Sequence, residues 1–182
     1  MKAKDKTNPA ASRNYSSFLW FLAFLIPALG AGLYYWSATC PCDRTPGLVL
    51  LGDTQKDPVL DWTFANDAPL CQIQIGAGWR PHAVNLNCMA TPTGELYLSC
   101  SVCDAKYWAS HVEKDEKSRL RIDGKVYPVT LNRVMEESRL DRAWRARVLK
   151  LQTFGEPPYN PAPATDAQRP ERWWSFAVTS RT

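Results

Sequence analysis

Two patterns of apolar and polar positions divide this chain. From residue 15 to residue 42 there is no Asp, Glu, Lys, Arg or His, and within that stretch 18–36 is apolar almost throughout. A helix needs about 20 apolar residues to cross the hydrocarbon core of a bilayer. The run therefore predicts one transmembrane helix over 16–38, and nothing like it recurs. Beyond it the pattern becomes alternation with period two, the mark of strands with one buried face. Cys71, Ile73 and Ile75 point one way, with Gln72 and Gln74 opposite. His82, Val84, Leu86 and Cys88 share a face, with Asn85 and Asn87 on the other, and Leu96, Leu98 and Cys100 repeat the pattern.

Turn residues place these segments. Thr-Pro-Thr-Gly at 91–94 joins the run ending at Ala90 to the run starting at Glu95, a hairpin signal. Asp123-Gly124 supplies the positive φ angles of a two-residue hairpin, whose register sets Leu120 opposite Tyr127 and Ile122 opposite Lys125. Pro128 lacks an amide donor, so its nitrogen is expected at an edge or bulge. The four aliphatics at 48–51 read as a short strand or a helical turn. Two helices are predicted. One starts at Asp104 with Ala105, Trp108 and Val112 as its stripe. The other runs over 136–151 and buries Leu140, Trp144, Val148 and Leu151, with Arg139, Arg142, Arg145 and Arg147 mostly off the stripe. The five prolines of 155–170 make a loop or extended arm, and Trp174, Phe176 and Val178 alternate in a final strand. Hairpins dominate, which predicts a mainly β antiparallel barrel with flanking helices outside it.

Charge orients the chain. Lys2, Lys4, Lys6 and Arg13 against Asp5 precede the apolar run, and basic residues stay on the cytoplasmic side. The expected organisation is a cytoplasmic tail (1–15), the span (16–38), a connector (39–59), a barrel domain (60–154), the Pro-rich arm (155–170) and a closing strand (171–182). Everything after the span is expected on the periplasmic or extracellular side. A cleaved signal peptide is the rival reading, but the apolar core is too long for one and Ser37-Ala38-Thr39 is a poor cleavage site. The net charge of +4 comes largely from the tail, and no basic stripe with interleaved aromatics points to nucleic acid. Six cysteines, Cys40, Cys42, Cys71, Cys88, Cys100 and Cys103, are disulfide candidates in an oxidising compartment. Cys40 and Cys42 are close in sequence for a mutual bond and are expected to reach other partners. Cys100 and Cys103 have redox-motif spacing, although a hairpin context favours a structural disulfide. No metal cluster is expected.

The order of elements, with particular residues in place, resembles the flavin-binding split-barrel family, which includes pyridoxamine-phosphate-oxidase-like proteins and deazaflavin-dependent reductases. The residues that carry the resemblance are Arg80-Pro-His-Ala-Val-Asn-Leu86, Glu95-Leu-Tyr-Leu-Ser-Cys-Ser101, Asp104-Ala-Lys-Tyr-Trp108, Arg121-Ile-Asp-Gly-Lys-Val-Tyr127 and the aromatic last strand from Trp173. It implies a split β-barrel, here behind the one N-terminal transmembrane helix that the apolar run predicts, binding FMN or a deazaflavin, as a homodimer. Arg80 and Lys106 would meet the cofactor phosphate. The backbone around His82 and Val84 would face the ring, with Ser101 and Trp108 beside it.

Phosphate oxygens want charged donors, which suits Arg80 and Lys106, although two solvated surface cations would read the same way. His82 and His111 are isolated from acids at any telling spacing, so packing is the better account of them, with haem ligation a weaker alternative. Trp108, Trp144 and Trp174 each fit an apolar stripe. Two functions from different classes are therefore expected in competition. One is a flavin- or deazaflavin-dependent oxidoreductase. The other is a cofactor-free accessory or scaffold module of a larger membrane complex. No general acid is assigned.

Overall fold

The computed structural model describes residues 10–181, so most of the cytoplasmic tail predicted over 1–15 lies outside the described residues. Two compact units result, one ending at Trp36 and one beginning at Ser37. The first is helix α1, Ala10–Thr39, which runs unbroken through Pro27. Its Tyr15–Thr39 portion is long and apolar enough to cross a membrane. At about 1.5 Å per residue those residues span roughly 37 Å, against about 30 Å of hydrocarbon. Trp20, Phe21, Phe24, Ile26 and Leu29 are all exposed and surround the helix, a surface suited to lipid.

The second unit is one antiparallel sheet of seven strands with helices against it. The strands are β1 (Cys71–Ala77), β2 (Arg80–Leu86), β3 (Cys88–Ala90), β4 (Leu96–Cys100), β5 (Glu116–Ile122), β6 (Lys125–Arg133) and β7 (Trp174–Ser180). Their order across the sheet is β2-β1-β5-β6-β7-β4-β3. The two edge strands, β2 and β3, are consecutive in the chain and separated by Asn87 alone. The chain therefore steps directly from one edge of the sheet to the other, which requires the sheet to curl into a barrel with a seam there. This is the predicted mainly β fold.

Alternation fills the barrel. Ile73, Ile75, Leu98, Leu120, Ile122, Val129, Leu131 and Phe176 are nearly or fully inaccessible and pack in one core cluster. The hairpin at Asp123-Gly124 has the predicted register, Leu120 opposite Tyr127 and Ile122 opposite Lys125. Pro128 lies where its neighbour on that side changes. Residues 53–55 bond to Val126, β7 pairs from Val129 onward, and the Pro128 carbonyl accepts from the Arg181 N–H. The missing donor thus falls in a gap between partners, as P-containing strands require.

The segment 48–51 is irregular, neither strand nor helical turn. Its backbone groups are satisfied elsewhere: the Leu50 N–H donates to Gln74 Oε1, and Arg121 Nη1 donates to the Leu51 carbonyl. Gly47 pairs with Ala83 in both directions, so the connector covers part of the β2 edge. The helix predicted from Asp104 is shorter than expected. A single 3-10 turn, Cys103–Ala105, leads into α2, Tyr107–Ser110. Asp104 does not cap α2; its carboxylate accepts from the adjacent Ala105 N–H.

Helix α3, Glu137–Phe154, lies on the outer face of the sheet over Met89, Tyr97 and Val134. Leu140, Trp144, Val148 and Leu151 are buried as predicted, but so are Arg147 and Lys150. Lys150 is buried toward the barrel, against Ala65 and Cys88, and Arg147 is buried by the Pro-rich arm. The arm is neither extended nor free, but is strapped along α3. Trp144 Nε1 donates to the Ala167 carbonyl and Gln152 Nε2 to the Pro163 carbonyl, and Arg169 pairs with Glu137 and Asp141. A helix sandwiched this way buries a wider arc than a stripe facing one sheet.

Lys150 gives a test of how α3 packs on the barrel. Its Nζ donates to the Ala65 carbonyl at 2.6 Å and lies 3.9 Å from Cys88 Sγ. Burial pulls its pKa down to about 8, against a partial opposing pull from Asp123 and Asp67. A base whose pKa is lower in the folded state binds fewer protons there than when unfolded. Stability must then rise with pH between that value and the unfolded one. From pH 7 to pH 9.5 the domain is expected to gain about 2 kcal/mol through this group. Urea titrations of wild type and Lys150→Met across that range check it: the substitution should flatten the rise, and parallel curves would contradict the assignment.

The six cysteines form three bonds, Cys40–Cys42, Cys71–Cys88 and Cys100–Cys103. The expectation that Cys40 and Cys42 reach other partners is overturned, because the chain doubles back at Pro41 and brings their Cα atoms to 4.3 Å.

Candidate functional site

The seam of the barrel is where strand pairing stops, and there a cleft of about 560 Å³ opens. That is within the range of small-ligand sites. Three kinds of segment build it. The edge strand β2 contributes Val84, Asn85 and Leu86, and the end of β4 contributes Ser99 and Cys100 with Ser101 just beyond. Lys106 and Trp108 stand at and just inside the start of α2. The connector, the arm and α3 close the outer side with Arg44, Tyr159, Asn160 and Arg147.

The lining mixes two chemistries. Trp108, Val84, Leu86 and Leu70 offer apolar surface, and Trp108 packs against Phe176, ring centroids 5.1 Å apart. The polar lining includes three cations, Arg44, Lys106 and Arg147, and one acid, Asp43. Arg44 lies flat over the Tyr159 ring at 3.4 Å, which ties the connector to the arm across the mouth. Asn85 Nδ2 donates to the Asp43 carbonyl, and Asn160 Nδ2 donates to Asn87 Oδ1. The asparagines that sequence alternation set on the outer face thus turn toward the seam.

Of the residues expected at a cofactor site, Val84, Ser101, Lys106 and Trp108 come together here. Arg80 and His82 do not line the cleft. A strand rises about 3.3 Å per residue, which carries Arg80 about 13 Å along β2 from Val84. Arg80 is exposed beside the hairpin turn, 5.7 Å from the ring of Trp79. His82 is buried against Tyr107, ring centroids 4.9 Å apart, and Tyr107 meets His111 at 4.2 Å. Burial pulls the His82 imidazole below its ordinary pKa, and the charges of Arg80 and His111 add to the effect. His111 Nδ1 donates to the Tyr107 carbonyl at 2.7 Å. Both histidines are therefore engaged in packing. Among the described residues no three His, Cys, Asp or Glu side chains are grouped to hold a metal.

Sequence reasoning missed Arg44, Arg147 and Asn160. All three reach the cleft through tertiary contacts of the connector and arm, and no local pattern marks them.

No family model matches the chain, and no curated protein matches it. Three solved structures are similar at low identity. A NimC/NimA family protein from Clostridium acetobutylicum is 14% identical over 65% of this chain and 76% of its own, with a TM-score of 0.38. An FAD binding protein from Mycobacterium smegmatis is 12% identical over 66% and 91%, with a TM-score of 0.38. A conserved hypothetical protein from Mycobacterium tuberculosis is 15% identical over 71% and 86%, with a TM-score of 0.44. Similarity at this level transfers no residue and no activity.

Proposed function

We propose that this protein is a membrane-anchored split-barrel oxidoreductase that holds a flavin or deazaflavin in the seam cleft. The observation that carries the reading is the cleft's mixed lining: aromatic and aliphatic groups suited to a planar ring, together with Lys106, Arg44 and Arg147 suited to a phosphate. The donor set fits such a group, because phosphate oxygens take charge-assisted hydrogen bonds, and Ser101, Asn85 and Asn87 add polar groups to the same lining. The chain's own part is to bind, orient and exclude water: Lys106 positions the phosphate, and Trp108, held by Phe176, backs the ring. A bound flavin would supply the hydride chemistry. The arrangement of a cytoplasmic tail with an exported domain is supported by the basic residues ahead of α1 and by the three disulfides, which persist in oxidising compartments. A homodimer is part of the proposal, from the family resemblance.

The test is titration of the full-length protein in detergent with FMN and with a deazaflavin, followed by flavin fluorescence and by thermal shift. Lys106→Met is expected to weaken binding about 10- to 100-fold, the worth of one charge-assisted hydrogen bond. Arg80→Ala, away from the cleft, is expected to leave affinity unchanged. A protein that takes up neither cofactor would return the domain to the role of an accessory module.

A further inference from the structure

Arg147 sits where an arginine is hardest to keep. It is 6% exposed, on the face of α3 that the arm covers. Nη2 donates to Asn160 Oδ1 at 2.8 Å, and the guanidinium lies over the Trp173 ring at 4.2 Å. Nε is buried with no hydrogen-bond partner. No carboxylate among the described residues lies within ion-pair distance of it. Burial alone pulls its pKa down to about 10, with no neighbouring charge opposing. Buried charges in native proteins are paired, and an orphaned buried donor calls for an explanation.

The surroundings supply one. Arg147 borders the seam cleft together with Lys106, and Asn160, which orients the guanidinium, is itself fixed. Its backbone pairs with Glu156 in both directions at 2.8 Å, and its side chain is held on Asn87. The site is thus built before any ligand arrives, from α3, the arm and the β2–β3 crossing. Arginine's planar fork suits an oxyanion better than lysine's point charge does.

We infer that Arg147, with Lys106 and the Asn160 that holds it, forms an oxyanion subsite in the seam cleft, and that the counter-charge missing from the protein is brought by the phosphate or carboxylate of a bound ligand. This names the anionic end of the ligand proposed above and in that respect rests on that reading. The subsite itself is tested with a bare anion.

The experiment uses the full-length protein in detergent, with Arg147→Met and Arg147→Lys. Pyrophosphate should raise the melting temperature of wild type, less that of Arg147→Lys, and not that of Arg147→Met. FMN and riboflavin differ only in the phosphate. Wild type should prefer FMN over riboflavin, and Arg147→Met should cut that preference by about tenfold, with riboflavin affinity unchanged and Lys106 holding what remains. Pyrophosphate protection that depends on Arg147, in a protein binding neither flavin, would support the subsite while removing the flavin reading. FMN preference undiminished in Arg147→Met, or wild type indifferent to pyrophosphate and to the FMN phosphate, would overturn the subsite. Should Arg147→Met not fold, Asn160→Ala carries the same comparison: a reduced anion response supports the subsite, and an unchanged one refutes it.

Discussion

Phe176→Ala is expected to lower the stability of the barrel domain by about 3–5 kcal/mol, the usual range for removing a fully buried phenylalanine. Phe176 is 0% exposed. It lies in β7 opposite Leu98 of β4 on one side and Arg133 of β6 on the other. Truncation removes packing from the centre of the sheet and leaves a void that surrounding strands cannot close without shifting their ladders. It also removes the ring that backs Trp108, so ligand affinity at the cleft should fall together with stability. Guanidinium titration measures the first effect and cofactor titration the second. Phe176→Leu, which keeps most of the volume, should show a smaller loss of both. A loss of stability with cleft affinity intact would mean that Trp108 is held by something other than Phe176.

The second large effect is expected from the Cys71–Cys88 bond. Both residues are 0% exposed, and the bond joins the start of β1 to the start of β3. Those strands belong to opposite ends of the sheet order, so the disulfide crosses the barrel where no ladder does. It closes a loop with a sequence separation of 17, and restraining a loop near that size in the unfolded chain stabilises by about 3 kcal/mol. The double substitution Cys71→Ala, Cys88→Ala should therefore cost about that much. Replacing Cys40 and Cys42, separated by 2, should cost far less, because their bond restrains almost no loop. Denaturation midpoints of the two double variants, compared under identical conditions, decide the matter. Equal midpoints would contradict this account of the bond.

What the residue pattern conveyed, and what it did not, follows from the range of the interactions. The span, the two hairpins at 91–94 and 123–124, the register of the second and the buried stripe of α3 depend on neighbours a few positions apart, and period and turn chemistry report those directly. The place of β7 between β4 and β6 is non-local, and nothing in Trp174, Phe176 and Val178 names their partners. The periodicity of α3 sets Arg147 off the buried stripe because a helical wheel assumes one buried face, whereas the arm supplies a second. The cleft was legible only in part. Val84, Ser101, Lys106 and Trp108 converge on it. Arg80, grouped with them by the family resemblance, is separated by the extended length of β2. Cys40 and Cys42 show the same limit at short range, since the turn that unites them depends on how Pro41 is held: its carbonyl accepts from Gln72 Nε2.

The insertion of β7 has a consequence for how the domain is made. β7 follows in the chain all the strands it pairs with, and it supplies the ladder on one side of both β4 and β6. Until it docks, two sheet edges stand open at once in the half-built barrel, and open edges are templates for pairing with other chains. Contacts of such long sequence separation also form slowly. The most vulnerable interval in the life of this protein is therefore the wait for its last strand, and a helper that shields β4 and β6 during that wait would matter more to yield than any single core contact.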